Sequence, residues 1–248
     1  MIKVENIEVY GWEAAIRGMR NPKNSWDRSD SCICNGSYGF EDCRVNAAGY
    51  CPRHEDFRND IFCVGNNDLD LMRRLYKGGT EHRKYLRMIT VTMDITAPLY
   101  WWKEFDTYKV GTVANSCSTM HKIHAKEFEL EDFSHEHLID EGFVVEGDDC
   151  FLSPLSCLKE QIATLKLWRN KYLKAKENGA DGFTLKRYWW QMIQLLPSSY
   201  NQRRTVQMSY ENVMAMIRQR ENHKLDEWRE FVGILKDLPY AKEIMGVE

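Results

Sequence analysis

The alternation of apolar and polar residues predicts strands and helices in the first half of the chain. Residues 2–10 alternate loosely and predict a strand, and residues 12–19 predict a short helix. From Ile89 to Ile95 every odd position is apolar and every even position is polar, which predicts a strand over residues 86–96. These patterns match the periods at which side chains return to one face of a helix or a strand.

Longer helical patterns follow, and their ends carry recognisable signals. Proline suits the first position of a helix because it has no N–H to donate, and Pro98 and Pro154 stand at two such positions. Ser209 can cap a helix, whereas Pro197 ends one. The predicted helices cover residues 67–76, 99–108, 154–179, 184–196 and 209–235. A few early strands and a later helical layer predict an α+β fold.

Residues of about 21–67 are rich in Gly, Asn, Asp and Cys and have poor periodicity. We interpret them as a Cys-rich insertion, because a structureless loop of this length is unusual in a compact domain. Thiolates and imidazole suit tetrahedral zinc, and the spacing of Cys51 and His54 is compatible with it. Cys32 and Cys34 are closer than the usual gap, which favours reduced, partly buried thiols and no metal site. The zinc alternative has the candidate ligands Cys32, Cys34, Cys43, Cys51, His54 and Cys63.

Length and charge limit the classes of protein to which the chain can belong. Its 248 residues predict a single domain over residues 1–248, and 43% apolar residues are enough for a core. A net charge of −3 argues against broad nucleic-acid binding, which needs a strong positive field. The sequence has no apolar run of about 18 residues and no secretory signal at its start. We therefore expect a cytoplasmic protein without membrane spans.

Two sets of residues in the chain have a distinctive order and spacing. The first consists of His82, the strand to Ile95, Ala97-Pro98, the mostly aromatic residues 99–102, and Thr107-Tyr108-Lys109-x-x-Thr112. The second consists of Leu196-Pro197, Ser209-Tyr210-Glu211 and Gln219-Arg220. Both sets resemble the flavin-dependent thymidylate synthases, and the resemblance covers roughly two thirds of the chain.

This resemblance implies a fold, a reaction and ligands. The implied fold is a small, mainly antiparallel sheet with a helical layer, in a homotetramer whose sites are shared between subunits. The implied reaction is reductive methylation of a dUMP-like pyrimidine nucleotide at carbon 5, with FAD as cofactor and NADPH and a folate as co-substrates. By the same resemblance, His82, Tyr108, Lys109 and Thr112 bind the flavin, and Asn115, Ser116, Ser118 and Arg220 bind the nucleotide. No catalytic side chain is assigned, because the implied chemistry needs no side-chain nucleophile.

The chain departs from the family at its basic residues. The segment Thr107-Tyr108-Lys109 stands where the family has Arg-His-Arg, and lysine lacks the planar, bidentate guanidinium. Glu211 stands where a family arginine helps to bind the nucleotide, and a carboxylate there is expected to repel a phosphate. Four other arginines could replace the lost phosphate contacts, namely Arg203, Arg204, Arg218 and Arg220. The alternative is that they form a solvated helix face.

These departures leave two functions open. In the first, the protein binds a flavin and a pyrimidine nucleotide through a rearranged site. In the second, it is a non-catalytic nucleotide-binding or interaction protein on the same scaffold, since each lost arginine removes charge-assisted hydrogen bonds to an anion.

Replacing Lys109 by Ala is expected to weaken flavin binding by about tenfold, because it removes the positive charge retained in the segment 107–109. The affinity is measured by titrating the purified protein with flavin and following the absorbance spectrum. An unchanged affinity would show that the flavin lies elsewhere.

Overall fold

The computed structural model describes residues 2–34, 61–144 and 151–246. The strands in these ranges are β1 (Lys3–Tyr10), β2 (Cys32–Cys34), β3 (Ile61–Cys63), β4 (Thr90–Pro98), β5 (Thr112–Ser116), β6 (Phe143–Val144), β7 (Phe151–Leu152) and β8 (Asn201–Ser209). The α-helices are α1 (Trp12–Arg20), α2 (Asn66–Lys77), α3 (Leu99–Phe105), α4 (Thr119–Lys122), α5 (Pro154–Glu177), α6 (Gly182–Leu195), α7 (Tyr210–Arg220), α8 (Asp226–Lys236) and α9 (Ala241–Met245). The α+β class predicted from the sequence is confirmed.

A small antiparallel sheet contains β1, β4, β8 and β5 in that order. Backbone hydrogen bonds run from Tyr210 N to Ile89 O (2.9 Å) and from Leu99 N to Tyr200 O (3.0 Å), just beyond the two ends of β4 and β8. The odd-numbered residues of β4 are buried and the even-numbered ones, up to Thr96, are partly exposed. The alternation predicted for this strand is therefore confirmed.

Three predicted elements differ from the structure by three residues or more, and one of them, the helix predicted over residues 99–108, ends at Phe105. The strand predicted from residue 86 begins at Thr90, because Leu86 is out of phase with the apolar positions and lies in the 3-10 helix Arg83–Arg87. The helix predicted over residues 209–235 is two helices, α7 and α8, because the polar residues 221–224 interrupt its apolar pattern.

The strands β5 and β8 escape prediction from the sequence. β5 is an exposed strand with no buried position, so it lacks the alternation that burial imposes. In β8 only Val206 and Met208 are apolar, and two arginines precede them. These two segments are strands because they form hydrogen bonds to neighbouring strands, and the sequence pattern does not reveal those bonds.

The chain divides into two compact units. The first unit comprises Met1–Glu5, Asp94–Thr107 and Ala114–Thr205, and the second comprises Asn6–Met93, Tyr108–Val113 and Val206–Glu248. All four strands of the sheet have residues in both units. The single-domain organisation predicted for residues 1–248 stays a prediction.

The core of the first unit lies along α5 and α6. Leu158, Ile162 and Leu165 lie on one face of α5 and are buried together with Met192 of α6. The side-chain amide of Gln161 donates to the carbonyl of Leu195 at 2.6 Å and links the two helices at the far end of α6. This hairpin supplies most of the helical layer of the unit.

A buried ion pair in the second unit anchors the start of the insertion to α2. Nε of Arg20 lies 2.6 Å from Oδ1 of Asp68, and the two side chains are 4% and 0% exposed. Oδ2 of Asp68 accepts hydrogen bonds from the hydroxyls of Ser29 (2.7 Å) and Ser31 (2.6 Å). Burial raises the pKa of Asp68, but the hydrogen bonds from both serines and Arg20 outweigh it and hold that pKa below its ordinary value. The pair therefore stays ionised in the interior.

Asp30 completes this connection by capping α2. Its carboxylate accepts hydrogen bonds from the backbone N–H groups of Asn67 (2.9 Å) and Asp68 (3.2 Å), which have no partner within the helix. A Cβ atom on Gly65 would lie 2.2 Å from Cγ of Asp30, so a side chain at this position would displace the cap.

Only the two ends of the predicted insertion are described, and they pair with each other. β2 and β3 are antiparallel, with Cys32 opposite Cys63. Cys43, Cys51 and His54 lie outside the described residues. Among the residues that are described, no group of three or more His, Cys, Asp or Glu side chains could hold a metal ion.

Within the described residues, no helix combines the length and the apolar composition that a membrane span requires.

Replacing Asp68 by Asn is expected to lower the free energy of unfolding by about 3–5 kcal/mol, because Arg20 is left buried without a charged partner. Urea denaturation near neutral pH measures the change. In the wild type, the stabilisation from Asp68 is present above the unfolded-state pKa of about 4 and is lost as the pH falls through the lower folded-state pKa. Asp68→Asn removes this component of the acid sensitivity.

The matched control is Asp70→Asn, which breaks the exposed ion pair between Asp70 and Arg74 on the same helix. We expect it to change stability little, because exposed pairs contribute little. If both variants unfold at the same urea concentration, the buried pair is not an anchor.

Candidate functional site

A cavity of about 590 Å³ in the second unit is lined by three arginines, Arg83, Arg87 and Arg218. We call it the arginine pocket. Its other polar lining comes mainly from hydroxyl and amide side chains, namely Thr80, Thr90, Gln207, Ser209 and Asn212. The volume lies within the range of about 300–1,000 Å³ that is usual for small-molecule sites.

The N-terminus of α7 forms one wall of the arginine pocket. Ser209 is its N-cap and accepts a hydrogen bond from the backbone N–H of Asn212 at 3.4 Å. Ser209, Glu211 and Asn212 all line the cavity. Because the first N–H groups of a helix carry partial positive charge, this wall and the arginines favour the same kind of ligand, an anion.

One of the three arginines is paired with a carboxylate. Nε of Arg87 donates to Oε2 of Glu211 at 2.5 Å, and Nη2 donates to Oε1 at 3.3 Å. This fork geometry is the strong form of an arginine–carboxylate contact. The hydrogen bond and the negative charge of Glu211 raise the pKa of the Arg87 guanidinium. Glu211 therefore neutralises Arg87 within the pocket.

The other two arginines have no carboxylate partner within the part of the chain that the structure describes. The guanidinium of Arg83 lies over the ring of Tyr76, with its carbon 4.9 Å from the ring centroid. Nε of Arg83 is buried and lacks a hydrogen-bond partner among the described atoms. Arg218 is exposed at the last turn of α7. An unsatisfied buried donor costs free energy unless a ligand or water meets it.

The turn at residues 110–112 is fastened to α7. Nδ2 of Asn212 donates to the carbonyl of Val110 (2.6 Å) and lies 2.8 Å from Oγ1 of Thr112. Gly111 has φ +70°, a left-handed conformation that glycine adopts readily, and its carbonyl accepts from Ser209 N at 3.2 Å. Thr112, predicted to bind the flavin, is thereby held at the edge of the arginine pocket.

Tyr108 and Arg220 contact each other, although the family resemblance assigns them to different ligands. Nε of Arg220 donates to the hydroxyl of Tyr108 at 3.1 Å, and this hydroxyl donates to Oε1 of Gln219 at 2.9 Å. The Arg220 guanidinium also lies over the ring of Trp228, 4.8 Å from its centroid. Arg220 is therefore engaged with aromatic side chains of its own unit.

The remaining predicted residues fall in both units. His82 precedes the 3-10 helix Arg83–Arg87 and is exposed, as is Lys109. Asn115 and Ser116 are exposed on β5 in the first unit, and Ser118 caps α4 by accepting from His121 N at 3.1 Å. The second unit holds the four residues predicted for the flavin, together with Arg220.

Two arginines of the predicted basic cluster are already paired in the first unit. Arg203 donates to Asp94 at 2.7 Å, and Arg204 donates to Asp106 at 2.8 Å. Arg204 also lies over the ring of Trp102. Their charges are matched by carboxylates of that unit, so these two arginines are already engaged, and the replacement of lost phosphate contacts by the four arginines stays a prediction.

Arg83, Arg87 and Asn212 escape prediction from the sequence. The first two lie in the run His82-Arg83-Lys84-Tyr85-Leu86-Arg87, whose four basic side chains, counting His82, are the available signal. Only the folded chain brings Glu211, which is 124 residues away, to Arg87.

Comparison with known proteins identifies the fold. No protein-family model and no curated protein matches the chain. Among the similar solved structures is thymidylate synthase X (ThyX) from Helicobacter pylori with FAD and dUMP, with a TM-score of 0.57 and 16% identity over 99% of this chain and 97% of that chain. Another is flavin-dependent thymidylate synthase ThyX from Helicobacter pylori complexed with FAD and dUMP, with a TM-score of 0.56 and 16% identity over 98% and 97%. The chain thus has the fold that its sequence resemblance implies, and that prediction is confirmed.

Replacing Asn212 by Ala is expected to loosen the turn at 110–112, because the carbonyl of Val110 and the hydroxyl of Thr112 lose their shared partner. We expect a loss of roughly 1–2 kcal/mol of stability and faster amide exchange in this turn. Hydrogen-exchange mass spectrometry measures the second effect. Asn170→Ala, on the exposed surface of α5, is the control, and equal exchange in both variants would contradict the role of Asn212.

Proposed function

We propose that this protein binds a flavin and a dUMP-like pyrimidine nucleotide, and that it methylates the nucleotide reductively at carbon 5. The observation that carries the proposal is the arginine pocket in a chain with a net charge of −3. A cluster of guanidinium groups against such a background favours a local anionic ligand. The fold, which it shares with structures containing FAD and dUMP, agrees with this choice of anions.

The side chains around the arginine pocket fit the phosphate groups of a flavin nucleotide. Arg83 and Arg218 supply charge, the N-terminus of α7 supplies N–H groups, and Arg83 has an unsatisfied buried Nε. We propose that these residues hold the phosphates, with His82, Tyr108, Lys109 and Thr112 on the flavin side. The nucleotide side is proposed to include Asn115, Ser116, Ser118 and Arg220.

A bound flavin supplies hydride-transfer chemistry, and the protein supplies binding and orientation. The contact of Asn212 with residues 110–112 keeps one edge of the pocket in a fixed shape. NADPH and a folate are the proposed co-substrates.

A specific observation favours the non-catalytic alternative. Arg220 is held by Tyr108 and Trp228, and Glu211 occupies a position where the resemblance implies an arginine. A protein that binds a nucleotide without transforming it needs only the anion site. The two functions are distinguished by measuring whether the nucleotide changes the rate at which NADPH reduces a bound flavin.

We also propose that the protein is a cytoplasmic homo-oligomer, with a tetramer as the implied state. Met192 is the one buried residue of α6, whereas Phe183 and Trp190 on the same helix are 78% and 39% exposed. Large apolar side chains exposed outside the buried face of a helix are often covered by another chain, which supports an assembly.

The decisive experiment is a titration of the purified protein with FAD, followed by a second titration with dUMP. We expect saturable flavin binding that tightens when dUMP is present. Arg83→Gln is expected to weaken flavin binding by at least about tenfold, because it removes a charged donor.

Arg74→Gln is the matched control, since Arg74 is an exposed arginine in the same unit whose partner is Asp70 and it does not line the pocket. Equal flavin affinity of the two variants would place the phosphates elsewhere. Absence of flavin and nucleotide binding by the wild type at high micromolar concentration would overturn the proposed function.

A further inference from the structure

The arginine pocket contains one carboxylate among its three guanidinium groups. Glu211 lines the cavity together with Arg83, Arg87 and Arg218. The formal charge of these four side chains is therefore +2, from three arginines and one glutamate. The charge available to a ligand depends on how firmly Glu211 is held.

Three features fix Glu211 on Arg87. Both carboxylate oxygens accept hydrogen bonds from the same guanidinium, at 2.5 Å and 3.3 Å. Glu211 is the more enclosed partner, with 24% of its side chain exposed against 57% for Arg87. It also lies in the first turn of α7, where the helix dipole favours a negative charge.

This arrangement removes Arg87 from the set of groups that can meet a phosphate. A phosphate approaching Arg87 would have to displace a bidentate carboxylate, or lie beside it and be repelled. Arg83 and Arg218 remain, and both lack a carboxylate partner within the described ranges of the chain. Two unpaired guanidinium groups match the two charges of a phosphate monoester or of a diphosphate that bridges two groups.

We propose that Glu211 determines the specificity of the arginine pocket, by limiting its ligands to nucleotides that carry about two negative charges near neutral pH. Nucleoside monophosphates and flavin dinucleotides belong to this class, and nucleoside triphosphates do not. This inference rests on the proposed nucleotide-binding function and adds the charge class of the ligand. Glu211 acts in two ways: it forms an ion pair with Arg87, and its negative charge repels ligands that carry more than about two negative charges.

The test compares the affinities of AMP and ATP for the pocket, measured by their displacement of bound FAD in the absence of divalent cations, for the wild type and two variants. Glu211→Gln keeps the size of the side chain but removes its charge, and it leaves Arg87 free to meet additional phosphate. We expect it to raise the affinity for ATP relative to AMP by at least about tenfold, because like-charge repulsion is removed. Arg87→Gln is expected to move the same ratio in the opposite direction, because Glu211 then stands unneutralised.

The control is Asp70→Asn, which removes the carboxylate of another ion pair in the same unit, away from the pocket lining, and should leave the ratio unchanged. If AMP and ATP do not displace FAD, or if Glu211→Gln and Arg87→Gln leave their affinity ratio unchanged, the specificity role of Glu211 is overturned while the proposed function stands. If FAD binds neither to the wild type nor to the variants, the proposed function itself fails, and this inference fails with it.

Discussion

The junction between β8 and α7 is the constraint on which the rest of the second unit depends. Within two residues, Ser209 N binds the carbonyl of Gly111, and Tyr210 N binds the carbonyl of Ile89. The Tyr210 ring is fully buried, stacks edge-on against Trp12, and directs its hydroxyl to the carbonyl of Pro239. A strand end, a turn, an N-terminal helix and the C-terminal segment thus meet where α7 begins. The arginine pocket has its shape because the same junction forms its wall.

The sequence predicts those parts of the fold in which local pattern and burial agree. β4 alternates because one of its faces is buried, and α5 and α6 have caps and prolines at their ends. β8 lies inside the sheet, but its polar residues do not predict a strand, and its place depends on pairing with β4 and β5, which are distant in the sequence. Ser209 predicts the start of α7. The end of α7 at Arg220 is not predicted, because the polar residues that follow resemble the exposed face of a longer helix.

None of the eight residues predicted to bind the flavin or the nucleotide lines the arginine pocket, although Val110, Gly111 and Val113 beside Thr112 do. The cations, however, come from the 3-10 helix Arg83–Arg87 and from the end of α7 rather than from residues 107–109. The attraction between a cation and an anion acts over several ångströms, so the cation can come from a different position in the chain. A sequence motif, in contrast, requires each residue at a fixed position. A chain can therefore keep an anion site while losing the residues by which such a site is recognised.

β2 and β3 hold the two ends of the intervening chain side by side, with Cys34 opposite Ile61. Neighbouring strands lie about 4.8 Å apart, so the stretch between these residues begins and ends at almost the same point. For a flexible connection between two fixed ends, each doubling of length costs only about 0.6 kcal/mol of closure entropy. The β2–β3 pair is therefore a suitable position at which to graft a foreign peptide.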